Sequence, residues 1–328
     1  MLNLDNPEVR FALEAVRQAS RLVLTVQSEL VSPALLKDDR SPVTVADYAS
    51  QALVARLLSQ AFPHDPLVGE EDSSELRQNR PVLEQVTGFV RRFNPEADEG
   101  RICDWIDLGA SSPSRRFWTL DPIDGTKGFL RGDQYAVVLA LVVDGAVQVA
   151  VLGCPRLSQA YRPDYHGPGS LVLALRGQGA WTTPLDGKMR WERLRVSSQA
   201  DPSQARLLRS FEAGHTNPGQ IDEFVRLLGV QAEPVRLDSQ AKYAVLAAGQ
   251  GELMVRLLSS SKPDYREKIW DQAAGSLIIQ EAGGTISDLD GKPLDFSSVR
   301  TLANNRGVLA SNGRLHAMAL TALRRIGA

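Results

Sequence analysis

Two aspartates three residues apart stand in the segment Asp121-Pro122-Ile123-Asp124-Gly125-Thr126, directly after an apolar-leaning strand pattern over 117–121. Carboxylates at a strand end are positioned by a rigid sheet. Across a turn set by Pro122 and Gly125, both can face one point. Two hard oxygen ligands facing one point suit Mg²⁺, which prefers carboxylate, carbonyl and water. Gly125 lets backbone approach a ligand, and the amides of Gly125 and Thr126 can cradle a phosphate. An Asp-Gly turn with a capping aspartate accounts for the same residues equally well.

Three further acidic positions have the same double reading. Glu70-Glu71-Asp72 follows a short apolar strand and repels itself unless a cation sits among its members, or it is a solvated loop. Asp271 follows Trp270 at the start of a helical pattern, where it is a metal ligand or a plain N-cap. Asp47 ends Ser41-Pro42-Val43-Thr44-Val45-Ala46-Asp47 and is likewise either functional or a cap.

The elements that must hold these residues can be read from periodicity and punctuation. Asn6-Pro7 starts a helix with apolar positions from Ala12 to Leu30 at spacings of three and four. A second helix is expected over 47–62, stopped by Pro63, and a short strand over 66–68. Residues 73–115 read as helices and loops inserted between two core strands. The apolar runs 135–143 and 146–152, joined by Asp144-Gly145, form a hairpin, and 171–181 a further one. Beyond about 198, strand and helix alternate. Helices are expected over 221–228, from Asp238 or Ser239 to 248, over 270–282 and over 315–326. Strands are expected over 235–237, 253–257 and 308–310. Hairpins first and alternating units second predict two packed α/β domains.

Composition sets outer limits. Across 328 residues, 37 Lys and Arg balance 39 Asp and Glu, for a net charge of −2, which argues against a nucleic-acid binder. No apolar run approaches the ~20 residues of a membrane span. Cys103 and Cys154 are too few for a disulfide framework and fit a reducing compartment. Residues 1–31 lack the charge pattern of a signal or transit peptide, so the expectation is a cytoplasmic protein beginning near Met1.

Taken together, Gly69-Glu70-Glu71, Asp121 to Thr126, and Trp270-Asp271 before an Ala- and Gly-bearing helix resemble the lithium-sensitive phosphatase superfamily of inositol monophosphatases and fructose-bisphosphatases. The resemblance runs over 6–312 and is weakest over 73–115. Three segments match its 3′(2′),5′-bisphosphate nucleotidase branch: Ser41 to Tyr48, Lys127-Gly128-Phe129-Leu130-Arg131, and Asp238-Ser239-Gln240-Ala241-Lys242-Tyr243. Glu267-Lys268-Ile269-Trp270-Asp271 matches it as well.

The resemblance implies an α/β (α+β) layered sandwich of the sugar-phosphatase type. An antiparallel-sheet domain, 1–197, carries most metal ligands, and a smaller α/β domain, 198–328, carries the nucleotide-binding residues and Asp271. It implies a Mg²⁺-dependent, Li⁺-sensitive phosphomonoesterase that converts adenosine 3′,5′-bisphosphate to AMP and phosphate, beside sulfate assimilation, with the 5′-phosphosulfate analogue PAPS as a further substrate. Glu70, Asp121 and the carbonyl of Ile123 hold one ion in that reading. Asp121, Asp124 and Asp271 hold the second, and Asp47 and Glu70 share a loose third. Thr126, hydrogen-bonded to Asp47, orients the attacking water. Ser239 and Lys242 take the 5′-phosphate, and His215 and Arg256 lie near the nucleoside. Asp238 orients neighbours or the sugar, and Lys127 is a phosphate contact or a solvated turn residue. The implied partner is a small-molecule nucleotide, with no nucleic acid, membrane or obligate protein partner. Two other functions compete: an inositol polyphosphate 1-phosphatase or related sugar bisphosphatase, and a non-catalytic nucleotide sensor.

Overall fold

The structure, a computed structural model, describes residues 2–30, 41–211, 218–258 and 264–328. Two long helices come first, α1 (Pro7–Leu30) and α2 (Ser41–Ala61). A seven-stranded sheet follows: β1 (Leu67–Gly69), β2 (Arg116–Asp124), β3 (Ala136–Val143), β4 (Ala146–Cys154), β7 (Ser170–Leu175), β8 (Gly179–Pro184) and β9 (Glu192–Leu194), side by side in that order. A small ribbon, β5 (Leu157–Ser158) with β6 (Arg162–Pro163), interrupts it in sequence. Only the β1–β2 pair is parallel.

The second sheet is mixed and ordered β11-β10-β12-β14-β13, from β10 (Leu207–Arg209), β11 (Val235–Arg236), β12 (Leu253–Arg256), β13 (Thr285–Ser287) and β14 (Val308–Ser311). The remaining helices are α3 (Arg80–Arg91), α4 (Glu99–Asp107), α5 (Thr126–Arg131), α6 (Pro218–Leu228), α7 (Ala241–Ala247), α8 (Ala273–Glu281) and α9 (His316–Arg325).

Alternation along the strands explains the stacking. Trp118, Leu120, Leu139, Leu141, Val149 and Val151 meet α1 and α2 on one face of the first sheet. Their neighbours Phe117, Val138, Ala140 and Leu152 meet α7 and α8 on the other. Leu208, Met254 and Ala310 of the second sheet bury against that same helix pair. Leu207, Leu253, Val255 and Leu309 face α6 and α9. Helices and sheets therefore alternate in layers, with α7 and α8 shared by both sheets. A sheet covered on both faces reads as continuous apolar runs, which is what 136–143 shows. The close approach of α8 to α7 needs Gly275, where a Cβ would lie 2.1 Å from the Tyr243 ring.

Several expected boundaries move. α2 begins at Ser41, six residues earlier, with Pro42 in a first turn that tolerates proline. Asp47 therefore lies inside the helix and is not its cap. α7 begins at Ala241 after Gln240, with Ser239 in a left-handed conformation, φ 64°, so neither Asp238 nor Ser239 is the N-cap. α8 begins at Ala273 after Gln272, so Asp271 is not a cap either. The inserted region supplies α3 and α4, which pack on α2.

Candidate active site

The Asp121–Asp124 pair is carried by a strand rather than by a turn after one. β2 pairs with β3 up to Asp121, slips register, and resumes at Asp124 opposite Ala136. Pro122 has no N–H to give to a ladder, so the slip falls where the chain cannot pair. The Pro122 carbonyl instead accepts from Ser50 Oγ of α2 at 3.1 Å. Gly125 then turns the chain at φ 92°, and a Cβ there would meet Ser239 Cβ at 2.7 Å. The turn thus seats the start of α5 against the chain leading into α7.

Glu70 follows β1. Its loop is held by Gln51 of α2, which donates to the Glu71 carbonyl at 2.7 Å and accepts from the Glu71 N–H at 3.1 Å. Gln51 also donates to the Ile106 carbonyl at 2.9 Å, tying in α4. Asp271 sits in a turn ahead of α8, its N–H bonded to the Lys268 carbonyl at 3.2 Å.

Ten of the expected residues line one cavity of about 350 Å³: Glu70, Asp121, Ile123, Asp124, Thr126, Asp238, Ser239, Lys242, Arg256 and Asp271. Lys127 lines it too. Asp47 is buried outside that lining, and its electrostatic neighbours are Glu71, Glu70 and Asp121. Among the described residues no hydrogen bond joins it to Thr126, which is exposed on the first turn of α5. The expected Asp47–Thr126 contact is therefore not made: helix α2 keeps the carboxylate buried beside Glu70 and Glu71. His215 lies outside the described residues.

The acidic wall is strained electrostatically. Burial, then the charges of Glu70, Asp124 and Asp271, push the Asp121 carboxyl well above the usual carboxylate range. Burial does the same to Asp47, helped by Glu71 and Glu70. It also raises Asp271 strongly, although Arg256 opposes it. Glu70 is raised by burial and by Asp124. Burial raises Asp124 less far, against Arg256, Lys242 and a 2.7 Å hydrogen bond from the Gln240 N–H.

The opposite wall is already paired. Arg256 donates to Glu267 at 3.1 and 2.9 Å, and Glu267 also accepts from Gln272 at 2.8 Å. Burial works against the Arg256 charge, but Glu267 and Asp271 hold the guanidinium above its ordinary value. Asp238 accepts from Arg131 and, at 3.2 Å, from the Phe211 N–H. Lys242 donates to Ser210 Oγ at 2.7 Å, and burial with Arg256 beside it pushes its ammonium down to about 8.

The carboxylates suit a hard divalent cation by chemistry: every donor is oxygen, and Asp121 Oδ1 is buried with no partner. Among the described residues no three acidic, His or Cys side chains already form a finished ligand set. Mutual repulsion of this kind keeps such groups apart until a cation neutralises them. Ser210, Tyr265 and Lys268 also line the cavity and were not foreseen. Only Lys268 had a sequence signal, lying inside Glu267 to Asp271.

The profile of the inositol monophosphatase family matches residues 5–328. The chain belongs to the inositol monophosphatase family. It is 42% identical over 323 residues to the 3′(2′),5′-bisphosphate nucleotidase of Schizosaccharomyces pombe, covering 93% of this chain and 91% of that one. The Oryza sativa protein of the same name is 41% identical over 94% of this chain and 91% of its own. The inositol monophosphatase of Zymomonas mobilis superposes with a TM-score of 0.66 at 21% identity, covering 99% and 100% of the two chains. The Thermotoga maritima IMPase gives 0.65 at 21%, with 98% of each covered. These neighbours share the layered fold expected from the family.

Proposed function

We propose that this family member is a 3′(2′),5′-bisphosphate nucleotidase, a Mg²⁺-dependent phosphatase that removes the 3′-phosphate of adenosine 3′,5′-bisphosphate to give AMP. The observation that carries the reading is one cavity lined both by crowded acids, with Asp121 Oδ1 buried and unpartnered, and by a buried lysine. Such a cavity suits a substrate with two phosphates, one to be cleaved and one to be gripped. The similarity to curated nucleotidases along nearly the whole chain supports the same reading.

In this mechanism Glu70, Asp121, the Ile123 carbonyl, Asp124 and Asp271 would hold two divalent ions, and Asp47 with Glu70 a third. Bound there, the ions supply charge neutralisation at the phosphoryl group and a lowered pKa for water, which phosphate monoester hydrolysis needs. Asp121 would contribute to holding both. The Thr126 hydroxyl would orient the attacking water from the cavity wall, and Asp47, buried behind the lining beside Glu70, would add negative charge there without touching Thr126. Lys242, with Ser210 and Ser239, binds the 5′-phosphate. Arg131 fixes Asp238 toward the ribose, and Arg256 and His215 meet the nucleoside. The division at 197/198 belongs to this proposal: ligands mostly before it, nucleotide contacts after it.

The free, buried Cys103 and Cys154 fit a reducing compartment, and the proposed substrate would place the enzyme beside sulfate assimilation. No described helix is long and apolar enough to cross a membrane. The test is phosphate release from adenosine 3′,5′-bisphosphate, PAPS and inositol phosphates with Mg²⁺, then with Li⁺ or Ca²⁺. Rapid turnover of the adenosine bisphosphate, blocked by Li⁺ and by Ca²⁺, is expected. A strong preference for inositol phosphates would move the assignment to that branch.

A further inference from the structure

Arg300 lies outside the cavity lining, yet it touches both segments that deliver carboxylates from different layers. Its backbone belongs to the Asp271 side. The Ile269 N–H donates to the Arg300 carbonyl at 3.1 Å, Thr301 bridges Lys268, and the Leu302 N–H donates to the Glu267 carbonyl at 2.8 Å. Its side chain belongs to the Glu70 side. The guanidinium donates to the carbonyls of Gly109 and Ser111, both at 2.9 Å, and to that of Gly69, the last residue of β1. The same group lies over the Trp270 ring, 4.9 Å from its centroid, one residue before Asp271.

This connection matters because β1 is short and its second support is the 109–111 segment that Arg300 also grips: Val68 bridges Ala110, and the Gly69 N–H donates to the Gly109 carbonyl at 2.9 Å. It is three residues long and ends the sheet order, with β2 as its strand neighbour on one side and only the isolated bridge to Ala110 on the other. Metal coordination tolerates displacements of about 0.2 Å in ligand distance. A planar donor fork serves several carbonyls while presenting a flat face to an indole; an ammonium does not.

We propose that Arg300 is a positioning residue that sets the separation of the Glu70 and Asp271 carboxylates, and through it the affinity for divalent cation. The inference rests on the metal-dependent reading above and deepens it. The test is calorimetric titration of the chelator-stripped full chain with Mg²⁺, for wild type, Arg300→Ala and Arg300→Lys. Circular dichroism and thermal melting fix a temperature at which each is folded.

Arg300→Ala is expected to weaken Mg²⁺ binding at least tenfold and to raise the Mg²⁺ half-saturation of phosphate release equally. The KM for adenosine 3′,5′-bisphosphate at saturating Mg²⁺ stays within twofold. Arg300→Lys keeps the charge but not the fork, and falls between the two. If the alanine variant does not fold, the lysine variant decides, with a loss of threefold or more supporting the role. Unchanged Mg²⁺ affinity in a folded variant overturns it, as does a change confined to KM. A wild-type chain that binds no Mg²⁺ overturns the metal reading itself, a result distinct from equal binding by all three.

Discussion

The two walls of the cavity satisfy their charges in opposite ways. On the wall built from β1, β2 and the turn before α8, carboxylates crowd one another and Asp121 keeps a buried oxygen without a partner. On the wall around β12 and α7, Arg256 has Glu267, Asp238 has Arg131, and Lys242 has Ser210. Groups paired within the fold hold their geometry before anything binds. Groups that repel are completed only by a cation. Under the proposed function, one wall is thus a receptor formed before substrate arrives, and the other would become rigid on loading.

The contrast is broken most severely at Asp121. Asp121→Asn removes the charge proposed to serve both ions, worth several kcal/mol of transition-state stabilisation. Turnover is expected to fall about 10³-fold or more, read as kcat under saturating Mg²⁺. Near-normal kcat would show that the acidic wall does not carry the reaction. Asp47→Asn comes next. Loss of its buried charge beside Glu70 is expected to lower kcat about hundredfold with KM nearly constant. A change in KM alone would place Asp47 in substrate binding.

The receptor wall gives smaller, substrate-dependent effects. A charge-assisted phosphate contact is worth ~1.5–3 kcal/mol. Lys242→Ala should therefore cost adenosine 3′,5′-bisphosphate roughly ten- to a hundredfold in kcat/KM. Adenosine 3′-monophosphate, which lacks the gripped phosphate, should hardly change. Equal losses on both would mean that Lys242 supports the fold or the acidic wall. The ammonium, pushed down to about 8, is charged below that pH and neutral above it. The kcat/KM for the bisphosphate should then fall up to about tenfold per pH unit above 8, a limb absent with the monophosphate and in Lys242→Ala.

The smallest effect concerns stability. Asp47, Glu70, Asp121 and Asp271 are all raised in the fold, and Glu71 to about 7, by burial first and then by neighbouring acids. The folded chain binds these protons more tightly than the unfolded one, so stability is lost as pH rises from about 4 through the raised values. In chelator the Tm is expected to drop by several degrees between about pH 5.5 and 8, and Mg²⁺ to restore most of it. A flat, Mg²⁺-independent Tm would contradict the electrostatic account of the acidic wall.

Much of the acidic wall was legible because its residues are contiguous: Asp121 and Asp124 share one motif, and Glu70 follows a strand. The layered fold was legible through its long apolar strands and helices. Element starts were less so. Asp271 looks like a cap because aspartate caps well, yet the turn at Ile269 to Gln272 delays α8, and that turn is set by contacts with 300–302. β10 and β13, three residues each, are too short to show a period and exist through their neighbours. Arg300 and Ser210 had no local signal at all, since their partners lie far away in sequence.

The helix layer shared by the sheets has a consequence during synthesis. The inner face of the seven-stranded sheet is fully made once β9 has emerged, but its cover, α7 and α8, is encoded far downstream. At 5–20 residues per second, the nascent chain carries that apolar face uncovered for several seconds at least. The last acidic residue of the cavity arrives with the same late segment. This core also needs Ile286, Leu302 and Ala310, made later still, so every acidic residue of the cavity is synthesised before the core between the two sheets can close.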